Sequence, residues 1–179
     1  MLTIKNKKLA DKAKRIRWFG IDRKKKQQGI WKNDVHEIGY KYQMTDIAAT
    51  MGCDSLDEFD FILKHRQKIY NTYLNELSSN KKIKCIHDYD DKKEHGAWLF
   101  TINVNNKDEI QKKLRQHFIE TNQVHFRNDR YSIFKKFVKG KKFPNMNYLE
   151  NRYLVLPVHH KVTVKDAKFI SKLINKFAK

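Results

Sequence analysis

The spacing of apolar residues predicts helices over most of the first half of the chain. Residues 6–19 carry apolar side chains three and four positions apart, and Gly20 is placed to end that helix. Residues 22–37 are mostly polar and predict a loop. A short helix is predicted from Thr45 to Met51, with the Thr45 hydroxyl capping its start and Gly52 ending it.

The strongest helical pattern covers residues 56–77. Ser55 and Glu58 have the spacing of a capping box at its start. The apolar side chains of this segment form one broad stripe: Leu56, Phe59, Ile62, Leu63, Ile69, Tyr70, Tyr73, Leu74 and Leu77. At about 1.5 Å per residue, this helix would exceed roughly 30 Å, which is long enough to pass from one domain to another.

Residues 80–179 change from helical patterning to a mixture of strands and helices. Segments rich in strand-forming residues lie at 83–86, 97–104, 123–127 and 153–157. Helices are predicted from Asn106, with Ile110, Leu114 and Phe118 on the apolar face, near 145–152, and from the capping pair Thr163 and Asp166. This order predicts an α/β fold, in which an α+β small domain has about three strands with helices packed on one side.

Charge is the most unusual feature of the composition. The 179 residues include 39 Lys and Arg against 20 Asp and Glu, which gives a formal charge of +19. Such an excess is typical of nucleic-acid binders, but here it is nearly all lysine, and Asn and Ile are abundant too. These three residues share A/T-rich codons, and specific phosphate contacts favour arginine. We therefore interpret the charge mainly as solvated lysine faces and expect no specific nucleic-acid binding.

Cysteine usage and hydropathy restrict the class of protein further. Cys53 and Cys85 lie far apart with no C-x-x-C spacing, which argues against a disulfide scaffold or a cysteine-rich zinc site. No apolar run reaches the roughly 18 residues that a membrane helix needs, and the N-terminus has no apolar stretch of signal-peptide length. The expectation is a cytoplasmic protein that does not enter the membrane.

Candidate chemistry concentrates in a few segments. Gly39-Tyr40-Lys41 leads directly into the Thr45 helix start, so backbone N–H groups and the Lys41 ammonium could hold a phosphate, although such loop-to-helix junctions are also common without any ligand. On a strand, His125 and Arg127 would share one face and suit a phosphate or sugar. Their alternative role is to keep an exposed strand edge charged.

Two further segments are weaker candidates. His159 and His160 would face opposite ways on a strand, so they are not expected to share a metal ion. Each histidine is more simply interpreted as a polar residue near the end of a strand. Asp88-Tyr89-Asp90 has a D-x-D pattern that a Mg²⁺-dependent transferase could use, but a solvated hairpin loop is the favoured interpretation.

Three stretches together resemble the DegT/StrS group of pyridoxal-phosphate nucleotide-sugar aminotransferases. Residues 37–52 are similar to that family's G-Y-[NK]-x-[RQ]-[ML]-[ST]-[DE]-I-x-A-A-x-G segment, with Lys41 at the [NK] position. Arg66, Ile69 and Tyr73 match its R-x-x-I-x-x-x-Y pattern, and residues 156–166 match its L-P-x-H-x-x-[LV]-T-x-x-D segment. Residues 123–129 are similar to a subset of the family.

The resemblance implies a fold-type I aminotransferase, of which this chain would be about the C-terminal half. Residues 1–52 would be the end of the large cofactor-binding domain, including a loop that reaches the partner subunit, and residues 53–179 the small domain. The family's S-F-x-x-x-K motif, whose lysine binds the cofactor covalently, would lie upstream of residue 1, so this chain alone is not expected to transaminate.

The resemblance also implies roles for particular residues. Lys41, with Tyr40 and Gln43, would lie at the pyridoxal-phosphate site across a dimer, although Gln43 stands where the family often has arginine. His125, Arg127 and His159 would line the side that binds the nucleotide sugar. The expected partners are a second copy or a complementary N-terminal half, the nucleotide sugar, and an amino donor such as glutamate.

Three hypotheses remain open from the sequence. The chain is the C-terminal portion of a sugar aminotransferase used in polysaccharide biosynthesis, as a split or truncated form. Alternatively, it is an inactive binding or assembly module, or a decayed remnant, of that family. The third hypothesis is a basic nucleic-acid-binding domain, which salt-dependent binding would reveal.

Overall fold

The computed structural model describes residues 2–30, 35, 37–86 and 95–179. Its contacts divide the chain into two units, Met1–Asp57 (unit 1) and Glu58–Lys179 (unit 2). The helices are α1 Lys7–Ile16, α2 Arg23–Gln27, α3 Asp46–Asp57, α4 Phe59–Leu77, α5 Lys107–Gln116, α6 Lys135–Val138, α7 Pro144–Glu150 and α8 Val164–Phe177. The strands are β1 Lys84–Ile86, β2 Phe100–Asn103 and β3 Tyr153–Leu156.

Helix α1 begins where the Asn6 side chain accepts a hydrogen bond from the Leu9 amide at 3.2 Å. It ends at Ile16, and Gly20 follows in the left-handed region with φ +73°. The predicted helix is therefore confirmed in shorter form. The loop predicted for residues 22–37 is wrong in part, because α2 forms within it.

The continuous helix predicted for residues 56–77 is wrong at its start. Helix α3 continues through Gly52 to Asp57, and the Ser55 hydroxyl donates to the Met51 carbonyl at 2.8 Å instead of capping a new helix. Helix α4 begins only at Phe59. Its apolar stripe is buried at Ile69, Tyr70, Tyr73 and Leu77, whereas Leu56 of α3 and Phe59 and Phe61 of α4 are exposed.

The three strands form one antiparallel sheet in the order β1-β2-β3. Ile102 lies opposite both Cys85 and Leu154, and Phe100 lies opposite Leu156, so these side chains share one face. That face belongs to the same apolar core as the buried positions of α4, α5 and α8. The predicted α/β class, with a small sheet covered by helices, is confirmed.

Two predicted elements of unit 2 differ from the structure. Residues 123–127 do not form a strand, and only Asn122 makes an isolated bridge to Val155. Helix α5 ends before Phe118, which has φ +60° and is 99% exposed rather than buried on the apolar face. The D-x-D segment at residues 88–90 lies outside the described residues.

Burial is distributed unevenly between the two units. Among the described residues of unit 1, Gly20 is the single buried position, and no apolar side chain is buried. Large apolar side chains there are exposed instead: Leu2, Leu9, Phe19, Ile30, Val35, Ile38, Tyr40, Tyr42, Met44, Ile47, Met51 and Leu56. Unit 1 therefore has no apolar core in the part of it that the structure describes. Across the described residues, no helix combines the length and apolarity needed to cross a membrane.

The capping box at the start of α8 is confirmed and yields a first prediction. The Asp166 amide donates to the Thr163 hydroxyl at 3.1 Å, and the Thr163 amide donates to the Asp166 carboxylate at 2.9 Å. Thr163→Ala should lower the free energy of unfolding by about 1 kcal/mol, as loss of an N-cap does. Urea denaturation measures it.

A matched control for this change lies in the middle of α4. The Thr72 hydroxyl donates only to the Lys68 carbonyl one turn earlier, so Thr72→Ala should change the free energy of unfolding by less than about 0.5 kcal/mol. Equal losses for Thr163→Ala and Thr72→Ala would contradict the capping role.

Candidate functional site

The turn that carries Lys41 is hydrogen-bonded to the end of α1. The Tyr40 amide donates to the Ile16 carbonyl at 2.7 Å, and the Tyr42 amide donates to the Arg17 carbonyl at 2.9 Å. The Phe19 amide donates back to the Tyr40 carbonyl at 3.1 Å. The last carbonyls of a helix lack partners within the helix, so this turn completes α1 and is held at a defined place.

Two glycines make this close contact possible. A Cβ on Gly39 would lie 1.8 Å from the Gly20 nitrogen, and a Cβ on Gly20 would lie 2.2 Å from the Glu37 carbonyl oxygen. Neither position therefore accepts a side chain without moving the backbone. The carboxylate of Glu37 also receives both Arg15 Nε at 3.0 Å and Arg15 Nη2 at 2.9 Å, which anchors the chain just before the turn.

The side chains of the turn face different partners. The Tyr40 and Tyr42 rings stack with their centroids 5.0 Å apart, and both are exposed. Lys41, which separates the two tyrosines in sequence, is exposed, and within the described residues its ammonium has no ion-pair partner. Gln43 differs, because its side-chain oxygen accepts from Arg23 Nη1 at 2.9 Å.

Sequence reasoning missed the support that Arg23 and Trp18 give to this turn. The Arg23 guanidinium lies 5.1 Å from the centroid of the Trp18 ring, and the Trp18 backbone bridges that of Lys41. Residues 20 or more positions apart meet here, and nothing in the local pattern signals that they do. The turn presents the exposed Lys41 ammonium, which has no ion-pair partner among the described residues, and such a cation suits a phosphate-bearing ligand.

The second predicted site, at residues 123–131, is irregular chain that lies over the outer face of the sheet. A cavity of about 360 Å³ separates this segment from the sheet. Its lining includes Ile86, Thr101 and Tyr153 from the strands, His125 and Phe126 from the segment, and Met146 and Leu149 from α7. The Tyr153 hydroxyl donates to the His125 carbonyl at 2.7 Å, and the His125 ring lies 5.8 Å from that of Trp98.

Arg127 is 5% exposed and engages three partners around its guanidinium. Its Nε and Nη2 donate to the two carboxylate oxygens of Asp129 at 2.9 and 2.6 Å. Its Nη1 donates to Asn147 at 2.7 Å and to Glu150 at 3.0 Å. Four of the five N–H groups of a guanidinium are thus used within unit 2. The geometry does not favour the predicted direct contact of Arg127 with a ligand.

The charges of this cluster compensate one another. Arg130 also contacts the Glu150 carboxylate, so two guanidinium groups face two carboxylates. The hydrogen bond from Arg127 lowers the pKa of Asp129, and the hydrogen bonds from Arg130 and Arg127 lower the pKa of Glu150. The cavity therefore gains little positive charge from Arg127 and suits an uncharged group better than a phosphate.

His159 is not part of this cavity. It lies in a separate cavity of about 430 Å³, where its Nδ1 accepts from the Lys161 amide at 3.2 Å. The structure therefore brings His125 and Arg127 together but leaves His159 elsewhere in unit 2. Within the described part of the chain, no three His, Cys, Asp or Glu side chains are grouped so that they could hold a metal ion.

Residues 1–175 match the DegT/DnrJ/EryC1/StrS aminotransferase family. The chain is 31% identical over 170 residues to UDP-4-amino-4,6-dideoxy-N-acetyl-beta-L-altrosamine transaminase of Campylobacter jejuni, an alignment that covers 92% of this chain and 44% of that relative. The chain thus spans less than half of the relative's length.

Solved structures agree with the fold. The chain is similar to the sugar aminotransferase CalS13 from Micromonospora echinospora, with a TM-score of 0.85, 23% identity, and coverage of 96% of this chain and 46% of that one. It is also similar to the PLP-form of Spr1654 from Streptococcus pneumoniae, with a TM-score of 0.81, 19% identity, and coverage of 97% and 44%.

The glycine contact gives a prediction for the turn. Gly39→Ala should push the turn away from α1, because its Cβ would overlap the Gly20 backbone. The Tyr40 and Tyr42 amides should then exchange hydrogen at least about fivefold faster, the factor for losing a hydrogen bond of about 1 kcal/mol. Amide hydrogen exchange measures this. Gly52→Ala is the control, since a Cβ there meets nothing within 4 Å, and unchanged exchange in Gly39→Ala would contradict the close contact.

The lowered pKa of Asp129 gives a prediction for pH. A carboxylate whose pKa is lower in the folded state stabilises the fold at any pH above its pKa in the unfolded chain, which is about 3.9. This contribution is lost as the pH falls through the pKa of the folded state. Asp129→Asn should therefore be less stable than wild type at pH 7, and the difference should shrink toward pH 2. Thermal unfolding of both proteins from pH 2 to pH 7 measures this difference, since the range of about five units includes that pKa.

Asp108→Asn is the matched control for this change, because the Asp108 side chain is 87% exposed and its ion pair among the described residues is with the adjacent Lys107. Its stability should follow that of wild type closely, as expected for an exposed pair. A constant difference between Asp129→Asn and wild type at every pH would contradict the ionic role of Asp129.

Proposed function

The chain belongs to the DegT/DnrJ/EryC1/StrS aminotransferase family, and we propose that it forms the C-terminal portion of a pyridoxal-phosphate-dependent enzyme that aminates a keto-sugar nucleotide. The N-terminal half of the family's domain would be supplied on the same or on a separate polypeptide. The observation that carries the proposal is the turn at residues 39–43. Gly39 allows the turn to approach Gly20 closely, and backbone hydrogen bonds hold it to α1. The Lys41 ammonium, which has no ion-pair partner among the described residues, is then available to a phosphate.

The residues of unit 1 fit the phosphate group of the cofactor but do not include the lysine that would bind the cofactor covalently. The Lys41 ammonium is opposite in charge to the cofactor's phosphate dianion, and its neighbours in sequence, Tyr40 and Tyr42, are exposed. The chain has no lysine in an S-F-x-x-x-K context, so the covalent attachment falls to the N-terminal half. When bound, the cofactor supplies the electron sink for transfer of an amino group. This chain's residues hold and orient its phosphate.

The exposed apolar side chains of unit 1 support the same proposal. Ile38, Met44, Ile47 and Met51 are all exposed, and so many exposed apolar side chains within residues 38–51 are typical of a segment that another polypeptide covers. In the proposed assembly, the N-terminal half or a second copy covers it and places Lys41 at the cofactor. Gln43 has a lesser role, because its oxygen is engaged by Arg23.

On the substrate side, we assign His125 to the contact with the nucleotide sugar, since it is exposed at the mouth of the outer-face cavity. His159 would line a separate region. The similarity to an enzyme acting on a UDP-linked amino sugar supports a nucleotide sugar as the substrate class. The amino donor, glutamate by the family resemblance, would be bound largely by the N-terminal half, because this chain has Gln43 where the family often has arginine.

The alternative is a catalytically inactive assembly module. The unburied apolar surface of unit 1 would serve that role equally well, because docking requires no chemistry. Activity of the assembled protein distinguishes the two. Nucleic-acid binding stays a weaker prediction: it should be weak, independent of sequence and sensitive to salt.

Variants of Lys41 test the proposal in a complex of this chain with an N-terminal half from the family. Lys41→Ala should weaken cofactor binding by about one to two powers of ten, the effect of losing a charged hydrogen bond worth about 1.5–3 kcal/mol. Lys41→Asn should recover much of the loss because its amide also donates, and Lys41→Glu should be worse than alanine. Cofactor titration by absorbance measures all three.

Lys12→Ala, an exposed position on α1, is the matched control and should bind as wild type does. Equal affinities for wild type, Lys41→Ala and Lys41→Glu would refute the phosphate contact. A complex that binds cofactor but aminates no keto-sugar nucleotide would favour the inactive module.

A further inference from the structure

The segment at residues 123–131 has little regular structure of its own to hold it in place. It contains one short 3-10 turn, Asn128–Arg130, and makes no ladder hydrogen bonds to the sheet beyond the bridge at Asn122. Side-chain contacts connect it to the rest of unit 2. These are the Gln123 side chain with the Glu150 carbonyl, Tyr153 with the His125 carbonyl, the His125 ring with Trp98, and Arg127 and Arg130 with α7.

We propose that Arg127 is a positioning residue: it holds this segment against α7 so that His125 keeps a fixed place beside Trp98 at the mouth of the outer-face cavity. Arg127 then acts on a ligand through His125 rather than by contact. The role of His125 in substrate binding rests on the proposed function above, whereas the positioning of His125 by Arg127 does not.

The guanidinium makes two different connections. Its Nε and Nη2 form a fork with the Asp129 carboxylate two residues later, which closes the turn around Asn128. Its Nη1 reaches Asn147 and Glu150 on α7, 20 and 23 positions away. One buried group therefore joins the turn of the segment to α7, while exposed Arg130 adds a second ion pair to Glu150 and Tyr153 holds the His125 carbonyl. His125 precedes Arg127 by only two residues, so we expect its place to depend on both connections of the guanidinium.

Lysine cannot reproduce this arrangement. An ammonium keeps the charge but lacks the planar fork that pairs with both Asp129 oxygens while still reaching α7. If only the charge of Arg127 matters, Arg127→Lys should behave like wild type. If the geometry of the guanidinium matters, Arg127→Lys should behave like Arg127→Gln.

The first experiment uses the full chain and needs no ligand. Nuclear Overhauser cross-peaks between the Trp98 indole and the His125 imidazole report their contact directly. Arg127→Gln and Arg127→Lys should both lose these cross-peaks, and Asn147→Ala, which removes one partner on α7, should weaken them. Arg115→Gln removes an equal charge from an exposed position on α5 and should keep them.

Methyl resonances of the buried core, such as those of Ile102 and Leu154, show in each variant whether unit 2 is still folded. If Arg127→Gln unfolds the unit, Asn147→Ala and Arg127→Lys decide the question. Cross-peaks of wild-type intensity in a folded Arg127 variant, or in Asn147→Ala if both Arg127 variants unfold, would overturn the proposal.

The second experiment uses the assembled transaminase. Arg127→Gln and His125→Ala should each raise KM for the nucleotide sugar by roughly tenfold with little change in kcat, the pattern for lost ground-state binding. The double variant should be no worse than His125→Ala, because Arg127 acts through His125. Multiplicative effects of the two changes would show direct contact by Arg127 and overturn the proposal. An assembly in which wild type is inactive contradicts the proposed function, and the cross-peaks then decide the positioning role alone.

Discussion

A short sheet of three strands needs an apolar cover on one face, and this requirement organises the fold. Each strand of unit 2 has only three or four residues, so the sheet depends on α4, α5 and α8, which enclose Phe100, Ile102 and Leu154. All apolar side chains that are buried among the described residues lie in unit 2. The described residues of unit 1 form no such core and are instead held by backbone hydrogen bonds, the Arg15–Glu37 pair and the approach of Gly39 to Gly20. Among the described residues, unit 2 thus has an apolar core, whereas unit 1 has a defined path without one.

This contrast connects the structure to function. The close approach of the turn to α1 requires glycine at both positions 20 and 39, because a Cβ at either would overlap backbone atoms, and Lys41 lies two residues after Gly39. On unit 2, the outer-face cavity is shaped by an irregular segment and bounded by a charge cluster that neutralises itself. Unit 1 thus offers a cation without an ion-pair partner among the described residues, and unit 2 offers a nearly neutral cavity.

The sequence predicted features that depend on neighbouring residues and missed those that depend on distant ones. The Thr163–Asp166 capping box is local, and it forms as predicted. Val124 and Phe126 alternate with polar residues as in a strand, but ion pairs from Arg127 to Glu150, 23 positions away, hold that segment in an irregular path. The break at Glu58 was missed because both flanking segments are helical and Ser55 bonds back to Met51. The role of Lys41 was predicted from its motif and stays a prediction, whereas the contacts of Arg23 and Trp18 with the turn have no local signal in the sequence.

The central claim is that unit 1 is completed by the N-terminal half of an aminotransferase domain, and amide hydrogen exchange of unit 1 tests it most directly. The measurement compares this chain alone with the same chain bound to an N-terminal half from the family and pyridoxal phosphate. The account predicts that the amides of residues 38–57 exchange at least about tenfold more slowly after assembly. Such a factor corresponds to an increase of roughly 1.4 kcal/mol in the free energy of local opening. The exchange rates of amides in the core of unit 2 should not change. Equal exchange of these amides in the free and the assembled chain would contradict it.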